Sequence, residues 1–250
     1  MKVIAVIPAR YKSSRFEGKP LAEICGKPMI WWVYNVVNKI KSINQVYVAT
    51  DDTRIYDVCK NYKINVIMTD NNIETPTERI YQVSKKIPAD YYLMINGDEP
   101  LIEKNAIESV IPTKIYKDIY VANIMTEIKS SAEVIDYTNL KIITNNKGEC
   151  IYISRSPIPY PKGTLNYTYK KHVGIYAYNK KALDFYHNTE RGINEKVEDI
   201  DLLRFIENKK IVKMIEVDCD SLSVDTPKDL KRVEEILKEK KNVYTNNIWS

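Results

Sequence analysis

Short apolar runs alternate with amphipathic segments along the first part of the chain. The apolar runs are Val3–Ile7, Gln45–Thr50, Ile64–Met68 and Tyr91–Asn96. Such runs are typical of strands that are buried on both faces of a parallel sheet. The segments between them, starting near Met29, Asp52 and Pro76, place apolar residues at helical spacing. This alternation predicts an α/β fold with a doubly wound, mostly parallel sheet.

The pattern after Pro112 is less regular and richer in strands. Strands are predicted at Ile119–Met125, Lys141–Thr144, Glu149–Ser154, His172–Tyr178 and Ile211–Val217. Helices are predicted at Lys180–Asn188 and at Asn194–Glu207, the second with Val197, Ile200, Leu203 and Ile206 facing inward. A last helix is predicted from Asp225-Thr226-Pro227 to about Lys240, and we expect the tail after it to be loosely ordered. We predict one domain over residues 1–250 with a β-rich excursion at about 125–175. The tyrosine-rich connection at 160–171 either contacts a second subunit or covers the chain's own core.

Composition excludes several classes of protein. The chain has 44% apolar and 28% charged residues, as ordinary globular proteins do. It has no apolar run long enough to span a membrane and no cleavable leader pattern, so we expect a cytoplasmic location. Four scattered cysteines and two histidines disfavour a disulfide framework, a zinc site and a Ser-His-Asp triad. The net charge of +5 suits an anionic substrate, but the lysines do not cluster as in nucleic-acid-binding proteins.

A basic loop follows the first predicted strand. It carries three cations (Arg10, Arg15 and Lys19), two hydroxyls (Ser13 and Ser14) and one glycine (Gly18). Ligands of open α/β sheets bind beyond the carboxyl ends of the strands, and these groups can hold phosphates there. The loop does not match a Walker A or a dinucleotide-binding motif. The alternative interpretation is a solvated surface loop.

Carboxylates follow two other predicted strands. Asp98 and Glu99 lie in the turn after Tyr91–Asn96, and Asp225 stands before the last helix. Carboxylates beside phosphate-binding cations are the groups that hold Mg²⁺ in nucleotide chemistry. Asp225 can instead be an N-cap, and Asp98 can instead be a simple turn residue.

Eight motifs, taken in order, resemble the CTP:3-deoxy-manno-octulosonate (Kdo) cytidylyltransferases, or CMP-Kdo synthetases. They lie at 7–21, 26–30, 48–51, 77–79, 96–100, 154–159, 172–176 and 224–227, and the resemblance covers residues 1 to about 237. It implies a Rossmann-like domain, a β-rich dimerisation part and a Mg²⁺-dependent homodimer. It also implies that the anomeric hydroxyl of an eight-carbon keto acid attacks the α-phosphorus of CTP, releasing pyrophosphate for lipopolysaccharide or capsule biosynthesis.

The same resemblance implies roles for individual residues. The nucleotide would contact Pro8, Ala9, Arg10, Ser13, Arg15, Lys19, Arg79 and Asn96. Lys19, Arg10 and Asp98 would be catalytic, and Asp98 and Asp225 would hold Mg²⁺. The acceptor would contact Glu99, His172, Tyr176, Glu198 and Asp201, although His172 can also be read as a core histidine. His187 is expected at the surface.

The sequence departs from the family pattern mainly on the acceptor side. Asn96 stands where glutamine is usual, Asp201-Leu202 replaces a Glu-Gln pair, Thr75-Pro76-Thr77 replaces Ser-Gly-Thr, and Ser221-Leu222-Ser223 replaces a glycine-rich segment. Losing the amide at Leu202 removes hydrogen bonds to a hydroxylated ligand, and leaving a buried polar group unpaired costs about 1–3 kcal/mol. A different acid or phosphorylated acceptor therefore remains an alternative. So do a nucleotide-binding dimer without turnover and a uridylyl- or guanylyltransferase acting on sugar 1-phosphates.

Overall fold

The structure is a computed structural model that describes residues 1–13, 15–164, 166–219 and 222–246, with residues 240–246 described as backbone alone. Ser14, Ser221 and the end of the predicted tail, residues 247–250, lie outside the described residues. The strands are β1 (Val3–Ala9), β2 (Glu23–Ile24), β3 (Lys27–Pro28), β4 (Gln45–Thr50), β5 (Val66–Met68), β6 (Tyr91–Ile95), β7 (Val121–Glu127), β8 (Lys141–Thr144), β9 (Cys150–Ser154), β10 (Lys170–Asn179) and β11 (Val212–Glu216). The helices are α1 (Met29–Val37), α2 (Thr53–Asn61), α3 (Pro76–Lys86), α4 (Lys104–Ser109), α5 (Ser131–Ile135), α6 (Lys180–His187), α7 (Ile193–Glu198), α8 (Leu203–Glu207) and α9 (Pro227–Asn246).

The central sheet has the strand order β11-β7-β10-β6-β1-β4-β5. Neighbours pair in parallel along this path except at β10, which is antiparallel to both β6 and β7. The hairpin β8–β9 adds to the sheet beside the first residues of β10. The predicted α/β fold with a mostly parallel sheet is confirmed.

Helices cover both faces of the sheet because the strands are apolar on both sides. In β1, Val3, Ala5 and Ile7 face a core that includes residues of α1, α2 and α4. The alternate residues Ile4 and Val6 face a second core with residues of α3, α6 and α8. This alternation follows from the two-residue period of a strand. The fold is therefore doubly wound, as the pattern predicts.

A third, smaller core fixes the last helix beside the basic loop. Ile24 of β2, Met29 of α1 and Val224 and Val233 of the α9 segment are all fully buried in it. The backbone amide of Cys25 donates to the Glu234 carboxylate at 3.1 Å. Docking of α9 thus places the residues just before it at the edge of the sheet.

The prediction of one helix over Asn194–Glu207 is wrong. Helix α7 ends at Glu198, Asp199 is left-handed with φ 53°, and α8 begins at Leu203. The side chain of Val197, predicted to face inward, is 80% exposed. The break has a physical cause: the Asp201 carboxylate accepts a hydrogen bond from the Thr77 amide in the first turn of α3, so the chain leaves the helix there.

Three other differences concern short or terminal elements. Helices α4 and α5 were not predicted, since each is about one to two turns long and carries too few apolar residues to show a period. Helix α9 continues to Asn246, so the first part of the predicted loose tail is helical.

Among the helices of the described residues, none combines the length and the apolar character needed to cross a bilayer.

Candidate active site

A cleft of about 340 Å³ opens at the carboxyl ends of β1 and β6. Its walls bring together residues that are far apart in the sequence. Thirteen of the predicted site residues line it: Pro8, Ala9, Arg10, Ser13, Arg15, Lys19, Arg79, Asn96, Asp98, His172, Tyr176, Asp201 and Asp225. The sheet edge predicted for ligand binding is therefore the edge at which they meet.

The basic loop is folded back on itself at the mouth of the cleft. The Gly18 amide donates to the Tyr11 carbonyl at 2.9 Å, and the Arg54 guanidinium lies 3.3 Å from the centroid of the Tyr11 ring. Gly18 has φ 69°, and a Cβ there would lie 3.1 Å from that ring. The closed loop leaves Arg10 exposed and the Arg15 side chain 49% exposed, so that both can reach a phosphate.

Two carboxylates share one ammonium group at the base of the loop. Lys19 Nζ lies 2.6 Å from Asp98 Oδ2 and 3.3 Å from Asp225 Oδ1, and Arg15 lies 3.0 Å from the same Asp225 oxygen. The Val224 amide donates to the Asp98 carbonyl at 2.8 Å, which joins the two acidic segments through the backbone. The arrangement contradicts an isolated, solvated basic loop.

Other residues fill the cap of α9, and Asp98 lies in the turn after β6 with its carboxylate paired to Lys19. Thr226 and Asp229 cap α9: Asp229 Oδ2 accepts from the Thr226 amide at 2.8 Å, and Thr226 Oγ1 accepts from the Asp229 amide at 3.3 Å. The Asp225 carboxylate is left to face the cleft. Asp98 Oδ1 is buried and has no hydrogen-bond partner among the described residues.

These two aspartates fit a magnesium site that is completed by a substrate. Mg²⁺ is usually held by one or two carboxylates together with substrate phosphates and water. The described residues contain no cluster of three or more Asp, Glu, His or Cys that could hold a metal by themselves. The unpartnered oxygen of Asp98 supplies a ligand atom that nothing else in the described chain uses.

Arg79 lies on the wall formed by α3 and the ends of β4 and β5. It is 4% exposed, and its guanidinium lies 3.4 Å from Asp51 Oδ2 and donates to Thr69 Oγ1. Burial lowers the pKa of Arg79, and the Asp51 charge opposes this effect. Asp51 and Thr69 are not among the predicted site residues. Their position after adjacent parallel strands is the signal that could have found them, and it is Asp52, the next residue, that caps α2.

The opposite wall carries His172, Tyr176 and Asp201. His172 is half-buried in the cleft wall, and its Nε2 is hydrogen-bonded to the Tyr176 hydroxyl. Burial raises the pKa of Tyr176 well above its ordinary value. Burial also raises the pKa of Asp201, although the hydrogen bond from Thr77 lowers it. Leu140, Ile200 and Leu202 line the same side of the cleft. This wall is therefore more apolar than the wall that carries the basic loop.

Two residues predicted to contact the acceptor lie elsewhere. Glu99 is 5% exposed, and its Oε1 accepts a hydrogen bond from the Gly174 amide at 2.9 Å behind the cleft wall. Glu198 accepts from Ser154 Oγ at 2.5 Å and from the Arg155 amide at 2.9 Å. Neither carboxylate lines the cleft, because each one binds backbone or side-chain donors of the scaffold. His187, predicted at the surface, is exposed and lies 2.7 Å from Glu78.

The buried imidazole leads to a prediction about acid stability. Burial lowers the pKa of His172 to about 4, although Asp98 opposes the shift. Between about pH 6.5 and about pH 4 the unfolded chain binds a proton at this residue that the folded chain does not, so the free energy of unfolding falls as the pH is lowered through that window. When the pH is lowered from about 7 to about 5, we expect the Tm of His172→Gln to fall less than the Tm of the parent protein. Equal losses in the two proteins would contradict this assignment.

Comparison with known proteins gives consistent matches over nearly the whole chain. The sequence model of the family described as cytidylyltransferase matches residues 4–248. A 3-deoxy-manno-octulosonate cytidylyltransferase from Escherichia coli is 36% identical over 236 residues, which is 94% of this chain and 96% of that protein. One from Fusobacterium nucleatum is 39% identical over 241 residues, covering 96% and 98%. A solved structure of CMP:2-keto-3-deoxy-manno-octonic acid synthetase complexed with CTP has a TM-score of 0.88 at 36% identity, covering 96% of this chain and 100% of that one.

Proposed function

This chain belongs to the cytidylyltransferase family, and we propose that it transfers the cytidylyl group of CTP to 3-deoxy-manno-octulosonate with release of pyrophosphate. The observation that carries the proposal is the single cleft in which the basic loop, the Asp98–Asp225 pair and the His172–Tyr176 wall meet. The similarity to proteins of that name covers every segment that builds this cleft.

The basic loop is suited to bind and orient the triphosphate. Arg10, Arg15 and Lys19 present three positive charges to a ligand that carries several negative ones, and Arg15 and Lys19 already hold carboxylates in the free protein. Asp98 and Asp225 would hold Mg²⁺, which when bound neutralises charge on the phosphate oxygens. Lys19 is the one of the three cations that is well buried, with its side chain 16% exposed, so its charge is the least screened by water.

The acceptor hydroxyl is placed to attack in line with the departing pyrophosphate. A bond forms between that oxygen and the α-phosphorus, and the bond from the α-phosphorus to the oxygen that bridges it to the β-phosphorus breaks. Pyrophosphate leaves with the bridging oxygen, and the hydroxyl proton passes to water. The residues of the chain supply position and charge, and no protein nucleophile is required. His172 and Tyr176 would contact the sugar acid, and the low pKa of His172 keeps its imidazole neutral near pH 7.

Arg79 and the end of β1 are suited to the nucleoside. Asp51 and Thr69 fix the Arg79 guanidinium at the cleft wall, and Pro8 and Ala9 bring backbone to the same wall. We expect CTP to raise the Tm of the protein more than UTP or GTP does at equal concentration, in line with ligand linkage. Greater stabilisation by UTP or GTP would favour the uridylyl- or guanylyltransferase alternative.

A second candidate function is the same transfer to a different acid or phosphorylated acceptor. The aliphatic side chains of Leu140, Ile200 and Leu202 on the acceptor wall favour it, because they cannot donate hydrogen bonds to a polyhydroxylated ligand. We expect an acceptor that lacks one hydroxyl to react within about tenfold of the parent acceptor, since an apolar wall discriminates weakly against such a loss. A 10⁴-fold preference for the hydroxylated acceptor would contradict this expectation.

Pyrophosphate release tests the activity. The reaction contains CTP, Mg²⁺ and 3-deoxy-manno-octulosonate, and each component is omitted in turn, with UTP replacing CTP in one further control. Release in the complete mixture alone supports the proposal. Release with another sugar acid but not with 3-deoxy-manno-octulosonate supports the second candidate. Absence of pyrophosphate release with every acceptor tried, despite binding of CTP, supports a nucleotide-binding protein without turnover.

We further propose that the enzyme works as a homodimer in the cytoplasm. The excursion between β7 and β10 exposes five large apolar side chains, Ile135, Tyr137, Ile151, Tyr160 and Tyr167, which are 36–86% exposed. Several exposed large apolar side chains on one excursion favour a subunit contact over a solvated surface. Sedimentation velocity tests the assembly: a monomer at all concentrations would contradict it.

A further inference from the structure

A bulge in β10 lies behind the catalytic cleft. The β10–β7 register passes directly from Val173 opposite Ile124 to Tyr176 opposite Asn123, so Gly174 and Ile175 have no partners in β7. On its other side β10 continues its pairing with β6, and the Asn96 amide donates to the Gly174 carbonyl at 2.8 Å. The bulge therefore frees the Gly174 amide from the sheet.

Asn123 holds the bulge from the β7 side. Its side chain is fully buried, and its Nδ2 donates to the carbonyls of Val173 and Ile175, each at 2.9 Å. These two carbonyls flank Gly174 and would otherwise lose partners in the core of the sheet. Asn123 thus fixes the direction of the Gly174 amide between them.

The freed Gly174 amide binds the residue next to Asp98. It donates to Glu99 Oε1 at 2.9 Å. The contact depends on glycine, because a Cβ at position 174 would lie 2.4 Å from both Glu99 Oε1 and Asn96 Nδ2. The turn that carries Asp98 is therefore attached at both of its ends, at Asn96 and at Glu99, to one residue of β10.

We propose that Glu99 is a positioning residue, which together with Gly174 and Asn123 fixes the Asp98 carboxylate relative to the acceptor wall. His172 and Tyr176 lie two residues to either side of Gly174 on the same strand, so the Glu99 contact, together with the Asn96 amide, ties the Asp98 turn to the acceptor wall. The role differs from direct contact of Glu99 with the acceptor. It rests on the proposed function only in so far as Asp98 serves cytidylyl transfer.

Two substitutions at Glu99 separate positioning from acceptor contact. Glu99→Gln keeps an acceptor oxygen for the Gly174 amide, whereas Glu99→Met keeps the length of the side chain and removes the oxygen. We expect Glu99→Gln to stay within about threefold of the parent, and Glu99→Met to lower kcat about 30-fold at unchanged KM for the acceptor, since small misplacements of reacting groups cost up to about 100-fold. A tenfold rise in the acceptor KM of Glu99→Gln, or a normal kcat in Glu99→Met, would overturn the proposal.

A pair of buried asparagines supplies the matched control. Asn123→Leu removes the donors that hold the bulge, and it should lower kcat as Glu99→Met does. Asn179→Leu changes a second buried asparagine, which lies in β10, whereas Asn123 lies in β7. The Asn179 Nδ2 donates to the Asp118 carbonyl at 2.7 Å, far from the cleft. Asn179→Leu should lower Tm and leave the kcat of the folded protein unchanged. Equal loss of kcat in both variants would indicate a purely structural role and overturn the proposal.

Hydrogen exchange at the Gly174 amide tests the contact without any turnover. Exchange should be slow in the parent and in Glu99→Gln, and about tenfold or more faster in Glu99→Met, because the amide then loses its partner. Unchanged exchange in Glu99→Met would overturn the proposal. If the parent transfers nothing to any acceptor, the proposed function fails, and CTP affinity with Mg²⁺ then reports the placement of Asp98: it should fall in Glu99→Met and not in Glu99→Gln.

Discussion

Replacing Asp98 by asparagine should lower kcat/KM about 10³-fold, because it removes the charge of a carboxylate that we propose holds Mg²⁺ beside the reacting phosphates. Asparagine keeps the size and one oxygen of the side chain. It cannot supply the negative charge of the carboxylate, whose buried Oδ1 has no hydrogen-bond partner among the described residues. The same change at Asp225 should give a loss of similar size, since both carboxylates contact the same ammonium group.

The Tm of Asp98→Asn distinguishes a loss of catalysis from damage to the fold. Asp98 and Asp225 face each other across one lysine and carry more negative charge than that lysine neutralises, with Arg15 as the exposed second cation. We expect the Tm of Asp98→Asn to stay within about 3 °C of the parent, because sites built for binding are seldom optimal for stability. Asp184→Asn, on the exposed face of α6, is the matched control with normal activity. Near-normal turnover of Asp98→Asn at limiting Mg²⁺ would contradict the role of Asp98.

Replacing Lys19 by methionine should lower kcat/KM about 10²- to 10³-fold, because a preorganised charge at the transferring phosphate is lost from a partly dehydrated position. Methionine keeps most of the length and the apolar stem of the side chain. Lys19→Arg keeps the charge but changes its geometry, and we expect an intermediate loss. The measurement is a steady-state titration of CTP at saturating acceptor.

Lys19→Met also has a signature in the absence of nucleotide. The ammonium group lies within 3.3 Å of both carboxylates, so without it their charges repel each other. Mg²⁺ alone should then raise the Tm of Lys19→Met more than it raises the Tm of the parent, where the metal must displace the lysine. Equal stabilisation of both proteins by Mg²⁺ would show that Lys19 does not occupy the place of the metal.

The sequence predicted the strands and helices of the first part of the chain, where the local hydrophobic pattern determines the secondary structure. Strands β1, β4 and β6 are buried on both faces, so their apolar runs are unambiguous, and parallel pairing then places Arg10 and Asp98 at one edge. The helix predicted at 194–207 failed because the apolar period continues across Asp199, while a distant amide, that of Thr77, binds Asp201. Local spacing contains no information on such a contact.

The candidate site was predictable to the same degree. The loop position of Lys19 and Arg15 predicts phosphate contacts, whereas the position of Asp225 before a helix fits an N-cap as well as a metal ligand, so spacing alone could not decide between the two. Glu99 was misplaced for another reason. Its direction depends on a bulge in β10, and the bulge depends on Asn123, which lies in a predicted strand with no feature to mark it. The pairing register of β10 with β7 depends on tertiary packing, so the sequence of either strand alone does not predict the bulge.

The most direct test of the account is identification of the product. A reaction of CTP, Mg²⁺ and 3-deoxy-manno-octulosonate is followed by phosphorus NMR and mass spectrometry, with Asp98→Asn beside the parent. The account predicts pyrophosphate and a phosphodiester of CMP with the sugar acid in equal amounts in the parent, and neither in the variant on the same time scale. Pyrophosphate with free CMP, or a product that forms equally in Asp98→Asn, would contradict it.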